Sequence, residues 1–439
     1  MFHKITMASV RAVERWLPDP FIFVLLLTLV VFVAGMGFEA QSPMAMIQHW
    51  GDGFWALLAF SMQMILILVT GWVLATTPFF KRILGAAAQL ARTPGQAIVL
   101  VTLVSLMASW LNWGFGLVVG AMFARQLARR VTDVDYRLLI ASAYSGFLVW
   151  HGGLAGSVPL TIATPGHFMA KSMGVVSTSQ TVFASFNLLI VLALFIIVPL
   201  LNRLMMPPPQ ETISIDPAKL VEAPTPTLPA SQTPAERMEN SILLSQAIGI
   251  MGVVFAVYYF AVKGGGLNLN IVNFIFLMLG IALHGRPSRF LEAVGDAARG
   301  SSGIIIQFPF YAGIMGMMIG SGLAASLSSF FVAISNETTL PLFTFLSAGI
   351  VNIFVPSGGG QWAVQAPVMI PAALELKVDL ARISMAVAWG DAWTNMIQPF
   401  WALPALAIAG LRAKDIMGFC LIVLVVSGVV IGLGLTFLP

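Results

Sequence analysis

Long uncharged apolar runs, at residues 20–38, 181–201 and 416–438, fix the medium in which this chain folds, because a run of that kind matches the length of a bilayer crossing. Composition agrees: 58% of residues are hydrophobic and 9% are charged, against about 25% charged in soluble domains. The formal net charge of +4 is spread thinly along the chain, as in the topology-setting loops of membrane proteins, and nucleic acid is set aside as a partner. The single cysteine, Cys420, lies in the last apolar run, so no intrachain disulfide can form.

The N-terminus has basic residues ahead of an apolar run but no A-x-A cleavage site, and it is expected to be retained. Phe2, Ile5, Val10, Val13 and Leu17 share a helical face ahead of Pro18 and Pro20, which predicts a short interfacial helix.

Hydropathy collapses at residues 206–240, where Pro207, Pro208, Pro209, Pro217, Pro224 and Pro226 stand among polar residues. That is a Pro-rich cytoplasmic linker between a first membrane repeat, 1–205, and a second half made of a connecting span, 241–262, and a repeat, 263–439. Gly51-Asp52 with Gln63 recurs as Gly295-Asp296 with Gln307 at a spacing of 244. Asn112 with Pro159 recurs as Asn352 with Pro399 at a spacing of 240.

The expected fold is an all-α polytopic membrane protein of two inverted repeats, each with a re-entrant helical hairpin and a broken transmembrane helix. Nine full spans are expected, near 20–38, 54–77, 136–163, 180–203, 241–262, 267–284, 301–322, 380–408 and 415–438. Two stretches, 97–124 and 340–373, are interrupted at Asn112-Trp113-Gly114-Phe115-Gly116 and at Pro356-Ser357-Gly358-Gly359-Gly360. Their arms of about 14 residues reach roughly 21 Å, short of a hydrocarbon core of about 30 Å, so both read as hairpins. With a cytoplasmic N-terminus and a periplasmic C-terminus, only Lys171, Lys263, Lys377 and Arg382 of the 22 Lys and Arg face outward, as the positive-inside rule requires.

Unwound backbone survives in hydrocarbon only where protein, water or substrate satisfies it. The breaks therefore mark the candidate site: the two tips, the broken span 136–166 with Trp150-His151-Gly152-Gly153 and Thr164, and the broken span 380–408 with Trp389-Gly390-Asp391, Asn395 and Gln398. A helix starting after Ser357-Gly358-Gly359-Gly360-Gln361, or after Asn112-Trp113-Gly114, turns free N–H groups and a positive dipole end toward an anion such as a carboxylate. The same glycines also suit close helix packing. Asp391 is the one acidic residue, of 18 Asp and Glu, deep within an expected span, which makes it a proton carrier or cation ligand, or else half of a structural ion pair.

His151 sits at a helix break, where a histidine serves either as a proton-carrying group or as a hydrogen-bonded structural one. Asn112, Asn352, Asn395, Thr164, Ser357, Gln365 and Gln398 offer neutral oxygens to a sodium ion or glue helices together. Trp110, Trp113, Trp150, Trp362, Trp389, Trp393 and Trp401 cluster near the breaks, where they can wall a short acyl tail or pack irregular backbone.

The runs Asn112-Trp113-Gly114-Phe115-Gly116-Leu117-Val118-Val119-Gly120, Gln307-Phe308-Pro309-Phe310-Tyr311-Ala312-Gly313, Val355-Pro356-Ser357-Gly358-Gly359-Gly360 and Gln398-Pro399-Phe400-Trp401-Ala402-Leu403-Pro404 resemble the bacterial short-chain fatty acid transporter family. The resemblance runs from Trp16-Leu17-Pro18-Asp19-Pro20 to the C-terminus. It implies uptake of acetoacetate and short fatty acids across the inner membrane, within a superfamily of ion-coupled anion carriers that often work as homodimers with an elevator motion. No cofactor is implied beyond H+ or Na+ as coupling ion. An intramembrane enzyme is disfavoured by the lack of H-E-x-x-H and G-x-S-x-G motifs. A passive anion channel, an ion exchanger and a dicarboxylate carrier stay open; scarce buried cations favour a singly charged anion.

Overall fold

A computed structural model describes residues 20–220, 233–397 and 401–439, so the interfacial helix expected before Pro18 lies outside the described residues. The described residues form helices and turns without a strand. The first half runs α1 (Pro20–Phe38), α2 (Pro43–Gly53), α3 (Leu58–Ala75), α4 (Pro78–Ala88), α5 (Pro94–Leu111), α6 (Trp113–Arg130), α7 (Tyr136–Ser145), a 3-10 turn (Gly146–Gly152), α8 (Ser157–Ile162) and α9 (Ser185–Leu204). After α10 (Ile242–Ala261) the same order returns as α11 (Leu269–His284), α12 (Pro287–Arg299), α13 (Ser302–Ser321), α14 (Leu323–Ile334), α15 (Leu340–Phe354), α16 (Gly358–Glu375), α17 (Leu380–Thr394), α18 (Ala402–Ala409) and α19 (Ala413–Phe437).

Among the described residues, eight helices are long and apolar enough to cross a membrane. Of the nine expected spans, the one at 267–284 is a helix of 16 residues and the one at 380–408 is split into α17 and α18. The hairpin arms are longer than expected: α5, α6 and α16 each have 18 residues and α15 has 15. Length therefore does not distinguish a hairpin from a crossing; the position of the tips does, since Trp113 packs on Trp150 and Gly358 on His151 in the buried centre. A Cβ on Gly116 would meet Ser109, and one on Gly120 would meet Ser105, so α5 and α6 run back along each other. Gln361 donates to the Ala348 carbonyl at 2.8 Å and Thr344 donates to the Met369 sulfur at 3.5 Å, so α15 and α16 do the same.

Local chemistry sets where these arms begin. Asn112 has an extended backbone and its Oδ1 accepts from the Phe115 N–H at 2.9 Å, starting α6. Ser357 is likewise extended and accepts from the Gly360 N–H at 3.3 Å, starting α16. Such caps satisfy orphan amides that lipid cannot. They also correct the second expected repeat register. The counterpart of Asn112 is Ser357, whereas Asn352 lies inside α15, where a helical backbone leaves no cap to make. The spacing of 244 does hold at the starts of α2 and α12, Pro43 and Pro287.

The halves are inverted. The first hairpin and α7 open on the linker face, where Arg125 donates to the Leu220 carbonyl and the Tyr136 N–H to the Ile213 carbonyl. α17 starts on the opposite face, where Arg382 donates to the carbonyls of Leu435 and Leu438 near the chain end. The two broken spans lie antiparallel: the Tyr136 hydroxyl donates to the Ala409 carbonyl at 2.9 Å and the Tyr144 hydroxyl to the Asn395 carbonyl at 2.7 Å. They form the centre of the molecule, with 94% of the window at Tyr136–Ile162 buried, while Phe21–Phe38 and Pro234–Ala261 are 17% buried and rim it.

Candidate functional site

The breaks of the two halves meet. His151, in the 3-10 turn, places Nδ1 at 3.2 Å from Oδ2 of Asp391 on α17, and both side chains have zero exposure. The Val158 N–H donates to His151 Nε2 at 3.1 Å. A backbone N–H can only donate, so Nε2 carries the lone pair and the proton of a neutral ring sits on Nδ1, facing the carboxylate. The approach lacks hydrogen-bond alignment, which leaves both carboxylate oxygens of Asp391 without an aligned donor among the described residues.

Both hairpin tips converge on this pair. Trp150 stacks on His151 with centroids 3.9 Å apart. Trp113 of the first tip packs edge-on against Trp150 at 5.9 Å and against Trp401 at 5.1 Å. From the other side, Gly358 of the second tip comes so near that a Cβ there would lie 2.5 Å from His151 Cε1 and 2.8 Å from Trp150 Cη2. A Cβ on Gly359 would meet Phe60, and one on Gly360 would meet Tyr311. Three consecutive residues without side chains let the start of α16 touch the aromatic centre.

Four amides around the pair are oriented by partners that act only as donors or only as acceptors, so their free ends can be read. Asn112 Oδ1 accepts from a backbone N–H, and Asn395 Oδ1 accepts from the Trp150 indole at 3.1 Å. Asn112 Nδ2, Asn395 Nδ2 and the Trp113 indole nitrogen are then buried donors without a partner among the described residues. Asn352 Nδ2 donates to the Asp391 carbonyl and to Thr394 Oγ1, both at 2.9 Å, and Gln361 Nε2 donates to the Ala348 carbonyl. Asn352 Oδ1 and Gln361 Oε1 are then buried acceptors without a partner, as are the Asp391 oxygens. Of these groups, the free donors lie at the first tip and beside Trp150 and the free acceptors on α15, α16 and α17; the Trp362 indole on α16 and the Trp110 indole on α5 are further buried donors without a partner among the described residues. Buried polar atoms are rarely left unpaired in native proteins, and such exceptions mark ligand or water sites.

The other expected residues are placed as follows. Gly114 packs on the Leu68 carbonyl of α3 and Gly116 on Ser109, so both allow close backbone approach and neither faces the pair. Thr164 lies at the far end of the first broken span, bonded to the Leu160 carbonyl and the Leu269 N–H. Gln365 pairs with Gln361 at 2.8 Å. Gln398 lies outside the described residues. Several tryptophans are anchored structurally: the Trp389 indole donates to Asn187 Oδ1 at 3.0 Å and the Trp393 indole to the Leu424 carbonyl at 2.7 Å.

Sequence reasoning missed Asn187, whose Nδ2 donates to the carbonyls of Gly152 and Val182 and so pins the turn beside His151. An amide near the start of the apolar run of α9 was the available signal. Tyr311, which the sequence marks only as part of the Gln307–Gly313 run, is fully buried and its hydroxyl donates to Gln307 Oε1 at 3.1 Å.

The chain matches the Short chain fatty acid transporter family over residues 1–438. This chain belongs to that family. It is 48% identical over 438 residues to a protein of Escherichia coli (strain K12), covering 99% of this chain and 100% of that one. It is 46% identical over 449 residues to a protein of Haemophilus influenzae (strain ATCC 51907 / DSM 11121 / KW20 / Rd), covering 100% of both. Both are provisionally named short-chain fatty acid transporters. In fold the chain is similar to the YdaH transporter of Alcanivorax borkumensis, whose structure was described as having an unusual topology: TM-score 0.60, 16% identity, 96% of this chain and 97% of that chain. The chain is thus a multi-pass membrane protein of a transporter family.

Proposed function

We propose that this family member takes up short monocarboxylates such as acetoacetate and butyrate across the bacterial inner membrane, coupled to H+ or Na+. The N-terminus is cytoplasmic and the C-terminus periplasmic in this reading. The repeats, 1–205 and 263–439, exchange access by an elevator-type motion within a homodimer, with 206–240 as tether and 241–262 as connecting span.

The observation that carries the reading is the gathering of unpartnered buried donors and acceptors around one buried pair. Donors at Asn112, Trp113 and Asn395 suit a carboxylate, aided by the helix starts behind Trp113 and Ser357-Gly358-Gly359-Gly360. Acceptors at Asp391, Asn352 and Gln361 suit a cation. Gln361, grouped with the substrate contacts by sequence, presents the wrong polarity for an anion and belongs with the cation side. His151 sits between the two sets, so occupancy of one changes the electrostatics of the other. No Lys or Arg is buried among the described residues, which favours a monoanion over a dicarboxylate.

The test is uptake of labelled butyrate and acetoacetate into proteoliposomes under separately imposed proton and sodium gradients. Saturable uptake driven by one gradient, with counterflow, supports the symporter and names its ion. Flux without saturation or counterflow means a channel. Asp391→Asn should abolish gradient-driven accumulation; an unchanged accumulation ratio would remove Asp391 from coupling.

A further inference from the structure

A cleft of about 270 Å³ lies apart from the buried pair, lined by Ala59, Phe60, Thr161, Thr164, Phe168 and Asn270 among others. It sits on the face away from the linker. The first broken span leaves the linker at the Tyr136 contact with Ile213 and reaches Thr164 only after crossing. There the Leu269 N–H donates to Thr164 Oγ1 at 3.2 Å, which fastens the start of α11 along one side, and Gln63 Nε2 bridges to Asn270 Oδ1 at 2.8 Å.

The volume equals roughly nine waters, enough for a four-carbon acid. Its walls mix hydroxyl and amide groups with phenyl rings, as an acid with a short apolar tail requires.

One side chain stands between this cleft and the second hairpin tip. Phe60 is 7% exposed and its ring lies 5.7 Å from that of Phe168 and 5.7 Å from that of Phe308. Its inner edge abuts Gly359, where a Cβ would fall 2.5 Å from Phe60 Cζ. The next residue back, Gly358, touches His151. The route from the cleft to the His151–Asp391 pair is therefore one aromatic ring and the glycine backbone of the tip.

We propose that the cleft is the outer vestibule for the acid and that Phe60 is its gate, closing on the tip glycines with Phe168 and Phe308 as jambs. The cargo of the vestibule rests on the transporter reading above; the gate does not. Gating by a single ring explains why the tip carries glycine at 359, since any side chain there would hold the ring off its seat.

Thiol labelling tests the gate without reference to cargo, because Cys420 is fully buried and gives a silent background. Ala59→Cys, in the cleft, should react with a small impermeant methanethiosulfonate added from the periplasmic side, and butyrate should slow that reaction. Ser157→Cys lies one helical turn deeper than Thr161 and is 3% exposed. It should be protected behind Phe60 and Phe60→Tyr, and should label at least about tenfold faster in Phe60→Ala or Phe60→Leu, where the closed state is weakened. Equal rates at Ser157→Cys with and without the ring overturn the gate, and an unreactive Ala59→Cys overturns the vestibule. Absence of butyrate uptake by the unsubstituted protein would sink the cargo reading alone, with the labelling rates still deciding the gate.

Discussion

Replacing Gly358 with alanine puts a methyl group where a Cβ would lie 2.5 Å from His151 Cε1, 2.8 Å from Trp150 Cη2 and 2.9 Å from His151 Nε2. Ordinary carbon contacts are about 3.5–4.0 Å, so the imidazole or the helix start must retreat by about 1 Å. Both rings are buried and stacked on each other with centroids 3.9 Å apart, so neither can swing away freely. Forcing a methyl into such packing costs about 1–3 kcal/mol. If the imidazole moves, the 3.2 Å approach of Nδ1 to Asp391 widens. A displacement of about 1 Å at a functional centre can cost about 10²-fold in rate. Initial uptake rates in proteoliposomes read that loss, and a thermal melt of the purified protein reads the packing cost. Gly295→Ala is the matched control, because a Cβ there meets nothing within 4 Å; it should leave uptake unchanged. Uptake and coupling at the unsubstituted level in Gly358→Ala would show that the contact between the tip and His151 plays no part in transport.

Asn187→Leu strands the Trp389 indole and the Gly152 carbonyl, at about 1–3 kcal/mol for each buried group left unpaired. A melting temperature lowered together with uptake is expected, and an unchanged melt would refute the pinning role. Asp135→Ala removes the cap of α7, the pair with Arg137 and the acceptor of the Ile213 N–H. Loss of the cap alone should cost about 1 kcal/mol, and proteolysis around residue 213 should quicken; equal cleavage rates would count against it. Burial holds His167 below the ordinary histidine value of 6.5. Its Nδ1 accepts from the Met169 N–H and Nε2 donates to the Gly174 carbonyl, so the neutral ring is the one built in. A lowered histidine pKa contributes stability that is full above that ordinary value and is lost as pH falls through the lowered one. Hydrogen exchange in the loop at 163–176 should therefore rise on acidification, and His167→Gln should flatten the response; a response unchanged in that variant would refute the assignment.

The chain's own sequence determined its medium, its two halves and its breaks. Uncharged runs of bilayer length admit only helices, because lipid satisfies no backbone polar group. Asn112, the Ser357-Gly358-Gly359-Gly360 run, His151 at a helix break and the lone intramembrane Asp391 are visible exceptions to that rule, so the tips and both members of the central pair were legible by position. What sequence could not supply was partnership. Nothing along the chain says that His151 faces Asp391 across 240 residues, that Gly358 seats against His151 while Gly114 seats against α3, or that Thr164 ends up in a separate cleft. Those outcomes depend on how two antiparallel broken spans cross and how far each arm extends, and small differences in cap position decided both. Residue matching paired Asn112 with Asn352, whereas the helix starts on either side pair it with Ser357. The free ends of the amides are likewise a tertiary fact, since an asparagine offers both a donor and an acceptor until a partner claims one of them.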